Sequence, residues 1–245
     1  MRVHQQKAYI LLNRPYSETS WIVEIFSREF GRLALMAKGA RRLKSKQKGV
    51  LIPFQPTLLS WTGKGEIPTL TSAEIDISEF DLGSQEIRGD GLVCGFYCNE
   101  LLVNLLHRHD PHAQLYDNYH STIMQLASPA NASNLTVLLR GFERQVMKET
   151  GYEIDFLYEA DGKTALLDDA HYCFQPGQGF VRLAGQQYNS VLGAIIKSLA
   201  SDAIFALSSE QQSQGKRLMR DILGQSMGRK QIISRALFYP KPRSS

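Results

Sequence analysis

The sequence predicts an α+β protein: a small five-stranded β-barrel over residues 1–80, then a mainly α-helical region over residues 81–245. Three observations predict it. Short stretches rich in β-branched and aromatic residues, each bounded by turn or polar residues, fill the first part of the chain. After Asp81 the apolar residues fall at helical spacing instead. With 245 residues, 43% of them hydrophobic and 21% charged, the chain has a globular composition and the length to bury a full core.

The first three strands are Lys7–Asn13, Ser20–Ser27 and Gly31–Ala37, separated by the polar Arg14–Thr19 and by Arg28–Phe30. Phe54–Thr62 and Glu66–Ile75 follow, joined by Gly63-Lys64-Gly65, a glycine-rich hairpin loop. Pro56 and Pro68 lack an amide donor, which confines their parts of these strands to edges or bulges. Five short strands with a long link between the third and fourth fit a small closed barrel. Both the oligonucleotide-binding (OB) barrel and an SH3-like barrel satisfy that pattern.

In the helical region, Leu92–His107 carries Leu92, Phe96, Leu101 and Leu105 on one broad stripe, with Tyr97 and Leu102 beside it. Ala113–Leu126 and Leu135–Thr150 are the next helices, the latter capped by Asn134 and closed by Gly151. In Leu135–Thr150 the residues Leu135, Leu138, Leu139, Phe142 and Val146 face a core, while Arg140, Arg144 and Lys148 run down another stripe. An irregular, partly β insertion covers residues 153–188, with short strands at His171–Phe174 and Gly179–Leu183. Ser190–Ser201 and Ser209–Leu223 return to helix, Gly224–Lys230 breaks the pattern, and Gln231–Tyr239 supplies a last short element. No internal repeat is present.

Charge is unevenly spread. Residues 1–80 hold 12 Lys/Arg against 7 Asp/Glu, residues 81–170 hold 6 against 14, and residues 171–245 hold 10 against 3. A chain basic at both ends and acidic between them suggests a polyanion-binding surface built from its termini. No apolar run approaches the roughly 18 residues of a membrane span, and the first residues lack a signal-peptide core, so a cytoplasmic protein is expected. Three cysteines, Cys94, Cys98 and Cys173, do not make a disulfide framework. Cys94 and Cys98 read as small core residues one helical turn apart, with no further soft ligands nearby for zinc.

The sharpest local feature is the segment Lys38–Lys48, with six positive charges in eleven residues and no acid: Lys38, Arg41, Arg42, Lys44, Lys46 and Lys48. Arginines offer bidentate contacts to phosphate and lysines mobile point charges. Six unrelieved charges repel one another until an anion relieves them. The segment lacks the two glycines four apart, the Lys-Ser/Thr pair and the following helix of a nucleotide-triphosphate loop. Of the barrel aromatics Tyr9, Trp21, Phe26, Phe54 and Trp61, Trp61 beside the Gly63-Lys64-Gly65 loop is the one expected to be exposed and to stack on bases, with Lys64 near it.

Other constellations are weaker. His107-Arg108-His109-Asp110-Pro111-His112 does not place three ligands on one face, and its histidines suit a helix end. Asp168, Asp169 and His171 read as a surface turn, a metal-dependent nuclease being the alternative. No nucleophile elbow or paired zinc-histidine motif is present, so no catalytic residue, metal or cofactor is expected. The cationic stripe Arg140, Arg144, Lys148 and the cluster Lys216, Arg217, Arg220 suit an acidic peptide with an apolar end.

The chain resembles the bacterial recombination mediator family RecO. The resemblance rests on Ala8-Tyr9-Ile10-Leu11, Arg14-Pro15-Tyr16-Ser17-Glu18-Thr19-Ser20, Phe26-Ser27-Arg28-Glu29-Phe30-Gly31-Arg32, Ala37-Lys38-Gly39-Ala40-Arg41, Gly49 and Pro53-Phe54. Sparser matches follow at Tyr97–Leu102, Arg140-Gly141-Phe142-Glu143, Gly151-Tyr152, Lys216-Arg217 and Ser234–Phe238. It implies an N-terminal OB barrel and a helical domain, and binding and annealing of single- and double-stranded DNA. It further implies cooperation with RecR in helping RecA displace the single-strand-binding protein SSB. It places docking of the acidic SSB tail at Leu139, Arg140 and Phe142. Some relatives carry a four-cysteine zinc site in the segment matching 153–185, where this chain has Cys173 alone, so no metal is expected there. An RNA-binding OB module is the alternative.

Overall fold

A computed structural model of the chain describes residues 1–79, 86–128, 134–201, 203, 206–227 and 234. Five strands, β1 (Arg2–Pro15), β2 (Trp21–Ser27), β3 (Gly31–Ala37), β4 (Pro56–Thr62) and β5 (Thr69–Ile75), close into a barrel in the order β1-β2-β3-β5-β4. The neighbours are antiparallel except for the closing pair of β3 and β5, which is parallel at Met36 and Thr69. That ring is the OB arrangement.

β1 begins five residues before the strand expected from Lys7, because its polar start carries no strand signal. Its first half pairs with β4, from Arg2 opposite Thr62 to Tyr9 opposite Pro56, and its second half pairs with β2. A register shift between Val3 and Gln6, with Gln5 at φ 45, bulges the strand within its pairing to β4. The Gln5 N–H displaced from the ladder donates to Ser60 Oγ at 3.0 Å.

The alternation of the strands sorts two sets of apolar residues. Ala8, Ile10, Val23, Ile25, Leu33, Leu35, Leu59, Trp61 and Leu70 fill the barrel. Tyr9, Leu11, Phe26 and Ala34 point outward and are nevertheless buried, Leu11 beside α1 (Gly89–Leu105) and Tyr9 and Phe26 under α2 (Ala113–Ala127). The Tyr9 ring lies 5.6 Å from Tyr116 and 5.0 Å from Tyr119, and its hydroxyl shares a 2.7 Å hydrogen bond with His120 Nδ1. Asn99 on α1 donates to the Leu11 carbonyl at 3.0 Å and accepts from the Tyr119 hydroxyl at 2.5 Å. Arg28 grips Asp117 through two 2.9 Å bonds. These contacts explain why the first compact unit runs on through Leu135, although strand gives way to helix after β5.

The predicted stripe on α1 is corrected at one position. Phe96 is exposed, edge-on to Phe54 at 5.0 Å, and the buried side carries Gly91, Cys94, Gly95 and Cys98. A Cβ on Gly95 would meet the Phe54 ring at 2.9 Å, and one on Gly91 the Leu126 carbonyl at 2.9 Å. Small residues create this close approach, and they leave no hydropathy stripe. The histidine-rich segment after α1 packs on the start of β3. His109 N–H donates to the Arg32 carbonyl at 2.9 Å, and Gly31, at φ 65, faces the Asp110 carbonyl too closely for any Cβ. Arg108 reaches the buried Glu24 carboxylate, which also lies 3.5 Å from Arg32.

The second compact unit is Thr136–Gln231. α3 (Leu135–Glu149) ends as the sequence predicts: Gly151 is at φ 78, its N–H donates to the Lys148 carbonyl, and the Tyr152 N–H donates to the Met147 carbonyl at 2.8 Å. The insertion forms a three-stranded sheet, β6 (His171–Gln175), β7 (Gly179–Arg182) and β8 (Val191–Leu192), in the order β7-β6-β8. The helix expected from Ser190 therefore starts later, as α4 (Gly193–Ser198), because Val191 pairs with Tyr172 of β6. α5 (Ser209–Met227) continues through the expected break at Gly224, since one glycine costs a helix only about 1 kcal/mol. The last expected element, Gln231–Tyr239, lies outside the described residues except for Ser234, whose N–H and hydroxyl donate to Glu100 at 2.8 and 2.6 Å. Among the described residues no helix is long and apolar enough to cross a membrane.

Candidate nucleic-acid interface

Three loops meet at the C-terminal end of β3. The pairing of Trp21 with Ala37 brings the 16–20 loop there, and the Met36 N–H bond to the Pro68 carbonyl, 2.8 Å, brings the 63–68 loop. The third is the cationic segment itself, which leaves β3 at Lys38. Its ends are fixed: Ala40 and Leu51 are fully buried in the barrel core, and Asn13 Nδ2 donates to the Leu51 carbonyl at 2.6 Å. Between those anchors the backbone folds on itself. Arg42 N–H bonds the Gly39 carbonyl, Ser45 N–H the Arg42 carbonyl, and Lys46–Gly49 forms a 3-10 turn.

All six cations, Lys38, Arg41, Arg42, Lys44, Lys46 and Lys48, are exposed, as is Lys64 on the neighbouring loop. Among the described residues none of them has a carboxylate partner. Arg41 has a backbone one. Its N–H donates to the Thr19 carbonyl at 2.9 Å and its guanidinium to the Ser17 carbonyl, so the 16–20 loop is clamped to the cationic segment. The result is a fixed fan of positive charge, suited to a chain of phosphates.

The expectation for Trp61 is overturned. It is 3% exposed and edge-on to Phe30 at 5.2 Å, because it shares the inward phase of β4 with Leu59. Tyr9 and Phe26 lie under the helices, Trp21 packs against the barrel core, and Phe54 packs on Phe96. The one exposed aromatic residue among the described barrel positions is Tyr16, 54% accessible, which the sequence reading did not single out. Its signal was positional: it lies in a polar loop between two strands.

On α3 the expected cationic stripe is not a surface stripe. Arg140 is buried, its Nη1 2.6 Å from Glu143 Oε2, and its Nε has no acceptor among the described residues. Phe142 is buried beside it, Leu139 is half-buried, and Arg144 donates to the Leu199 carbonyl. Lys148 is exposed. Lys216, Arg217 and Arg220 on α5 are exposed, Arg220 lying 3.6 Å from Asp221. Asp168 pairs with Lys197, and His171 Nδ1 lies 3.2 Å from Ser190 Oγ. Among the described residues no three His, Cys, Asp or Glu side chains are grouped as a metal ion would require.

Comparison with known proteins gives a consistent picture. Residues 1–77 match the family described as Recombination protein O N terminal, and residues 88–236 match Recombination protein O C terminal. The DNA repair protein RecO of Thiobacillus denitrificans is 40% identical over 242 residues, 96% of this chain and 91% of that protein. The protein of the same name from Polynucleobacter necessarius is 41% identical over 228 residues, 91% of each chain. That from Nitrosococcus oceani is 39% identical over 241 residues, 97% of this chain and 93% of the other.

Proposed function

The chain belongs to the recombination protein O (RecO) family of DNA repair and recombination proteins, and from that premise we propose that it is a non-enzymatic DNA-binding mediator of recombinational repair. The observation that carries the reading is the fan of six exposed cations, without carboxylate partners among the described residues, on a loop anchored at both ends in the barrel. Such a surface releases counterions from single- or double-stranded DNA whatever its sequence. Holding two strands on one cationic body lowers their mutual repulsion, a physical route to annealing. With RecR, the protein helps RecA replace SSB on single-stranded DNA, acting in the cytoplasm at the nucleoid.

The acidic tail of SSB docks on the second compact unit. Lys216, Arg217 and Arg220 are the exposed cations for its carboxylates, and Leu139 is the accessible apolar residue of the Leu139, Arg140, Phe142 group. Arg140 takes part only by giving up Glu143. The deciding experiment is the annealing rate of complementary strands coated with SSB, with no nucleotide present. Acceleration by the protein is expected, and a rate equal to that of SSB-coated strands alone would overturn the reading.

A further inference from the structure

We infer that Tyr16 is a base-stacking platform, so that the interface holds an unpaired strand by its bases as well as its phosphates; this rests on the nucleic-acid reading of the cationic loop. The ring projects from the β1–β2 loop, the loop that in OB barrels borders the oligonucleotide track. It is 54% exposed and, among the described residues, makes no ring or side-chain hydrogen bond. Two features show that its position is built. Ser17, the next residue, is at φ 105, a conformation that a non-glycine residue holds only when its surroundings fix it. Those surroundings are present: the Tyr16 N–H donates to the Ser20 carbonyl at 3.0 Å, and Arg41 binds the Ser17 and Thr19 carbonyls from the cationic loop.

The clamp sets an aromatic face beside a row of phosphate-binding charges, the two parts that single-strand binding requires. Every base has a π-face, so the contact adds affinity without choosing a sequence. The other aromatic residues described in the barrel are buried or packed and cannot take the role.

The test compares binding of an oligothymidylate with binding of an abasic strand of equal length, for the full chain and for Tyr16→Ala and Tyr16→Phe, across a salt series. The wild type should prefer the oligothymidylate by about five- to a hundredfold. Tyr16→Ala should lose most of that preference, Tyr16→Phe should keep it, and both should retain the wild-type salt slope. A preference that survives Tyr16→Ala, or a wild type that binds both strands equally with a steep salt slope, overturns this inference and leaves the phosphate-binding reading standing. A wild type that binds neither strand in dilute salt overturns both.

Discussion

Arg140 and Glu143 lie one helical turn apart on α3 with 2.6 Å between guanidinium and carboxylate, and both side chains are withdrawn from solvent. A pair so placed is sensitive to the loss of one member, because the other keeps its charge, still buried, without this ion pair. Arg140→Ala should therefore cost about 3–5 kcal/mol of stability, read as a lower urea midpoint. Arg140→Met combined with Glu143→Met should recover part of that loss. A midpoint unchanged by Arg140→Ala would show that the arginine is not held as described.

The cationic loop makes a quantitative prediction about salt. With six phosphate contacts, the logarithm of affinity for single-stranded DNA should fall with log salt at a slope of about −4. Changing Arg41, Arg42, Lys44 and Lys46 to Ala should flatten the slope by about 3 and weaken binding equally across sequences. An unaltered slope would count against the loop.

The tyrosines under the helices predict alkaline behaviour. Burial, the largest cause, pushes the phenols of Tyr9, Tyr116 and Tyr119 well above the usual tyrosine value. A raised folded-state value means that the stability these neutral phenols contribute is whole below about pH 10. It drains away as pH climbs from there towards the folded-state values. Of the 10 tyrosines in the chain, these three should ionise only as the fold opens, so part of the tyrosinate absorbance should rise together with loss of circular dichroism. Complete ionisation in a still-folded protein would refute the burial.

A Cβ on Gly31 would lie 2.0 Å from the Asp110 carbonyl oxygen. The glycine's φ of 65 and the Asp110 carbonyl against it leave no place for a side chain. Gly31→Ala should lose about 2 kcal/mol or more, measured by urea unfolding, whereas Gly49→Ala, with open space around it, should fold normally.

The strands of the barrel are legible in the sequence because β-branched and aromatic stretches bounded by turn residues mark β2 to β5 within a few positions. The cationic loop is legible because charge needs no fold to be seen. What was not legible depends on phase and on small residues. Trp61 is adjacent to a loop, yet its strand phase, shared with Leu59, turns it inward. Arg140 reads as one member of a cationic stripe with Arg144 and Lys148, and no hydropathy pattern separates an exposed arginine from one buried beside Glu143. Tyr16 carries only its position in a polar loop, and its place beside the cationic segment emerges when Arg41 is seen to bind that loop.

The outward-facing Tyr9, Leu11, Phe26 and Ala34 have a practical consequence for dissecting this protein. A fragment cut after residue 79 would bare them together as a sticky aromatic patch, and aggregation, rather than an autonomous barrel, is what such a truncation should yield. A usable excision must carry the polypeptide through Ala127, so that the second helix still lids that surface.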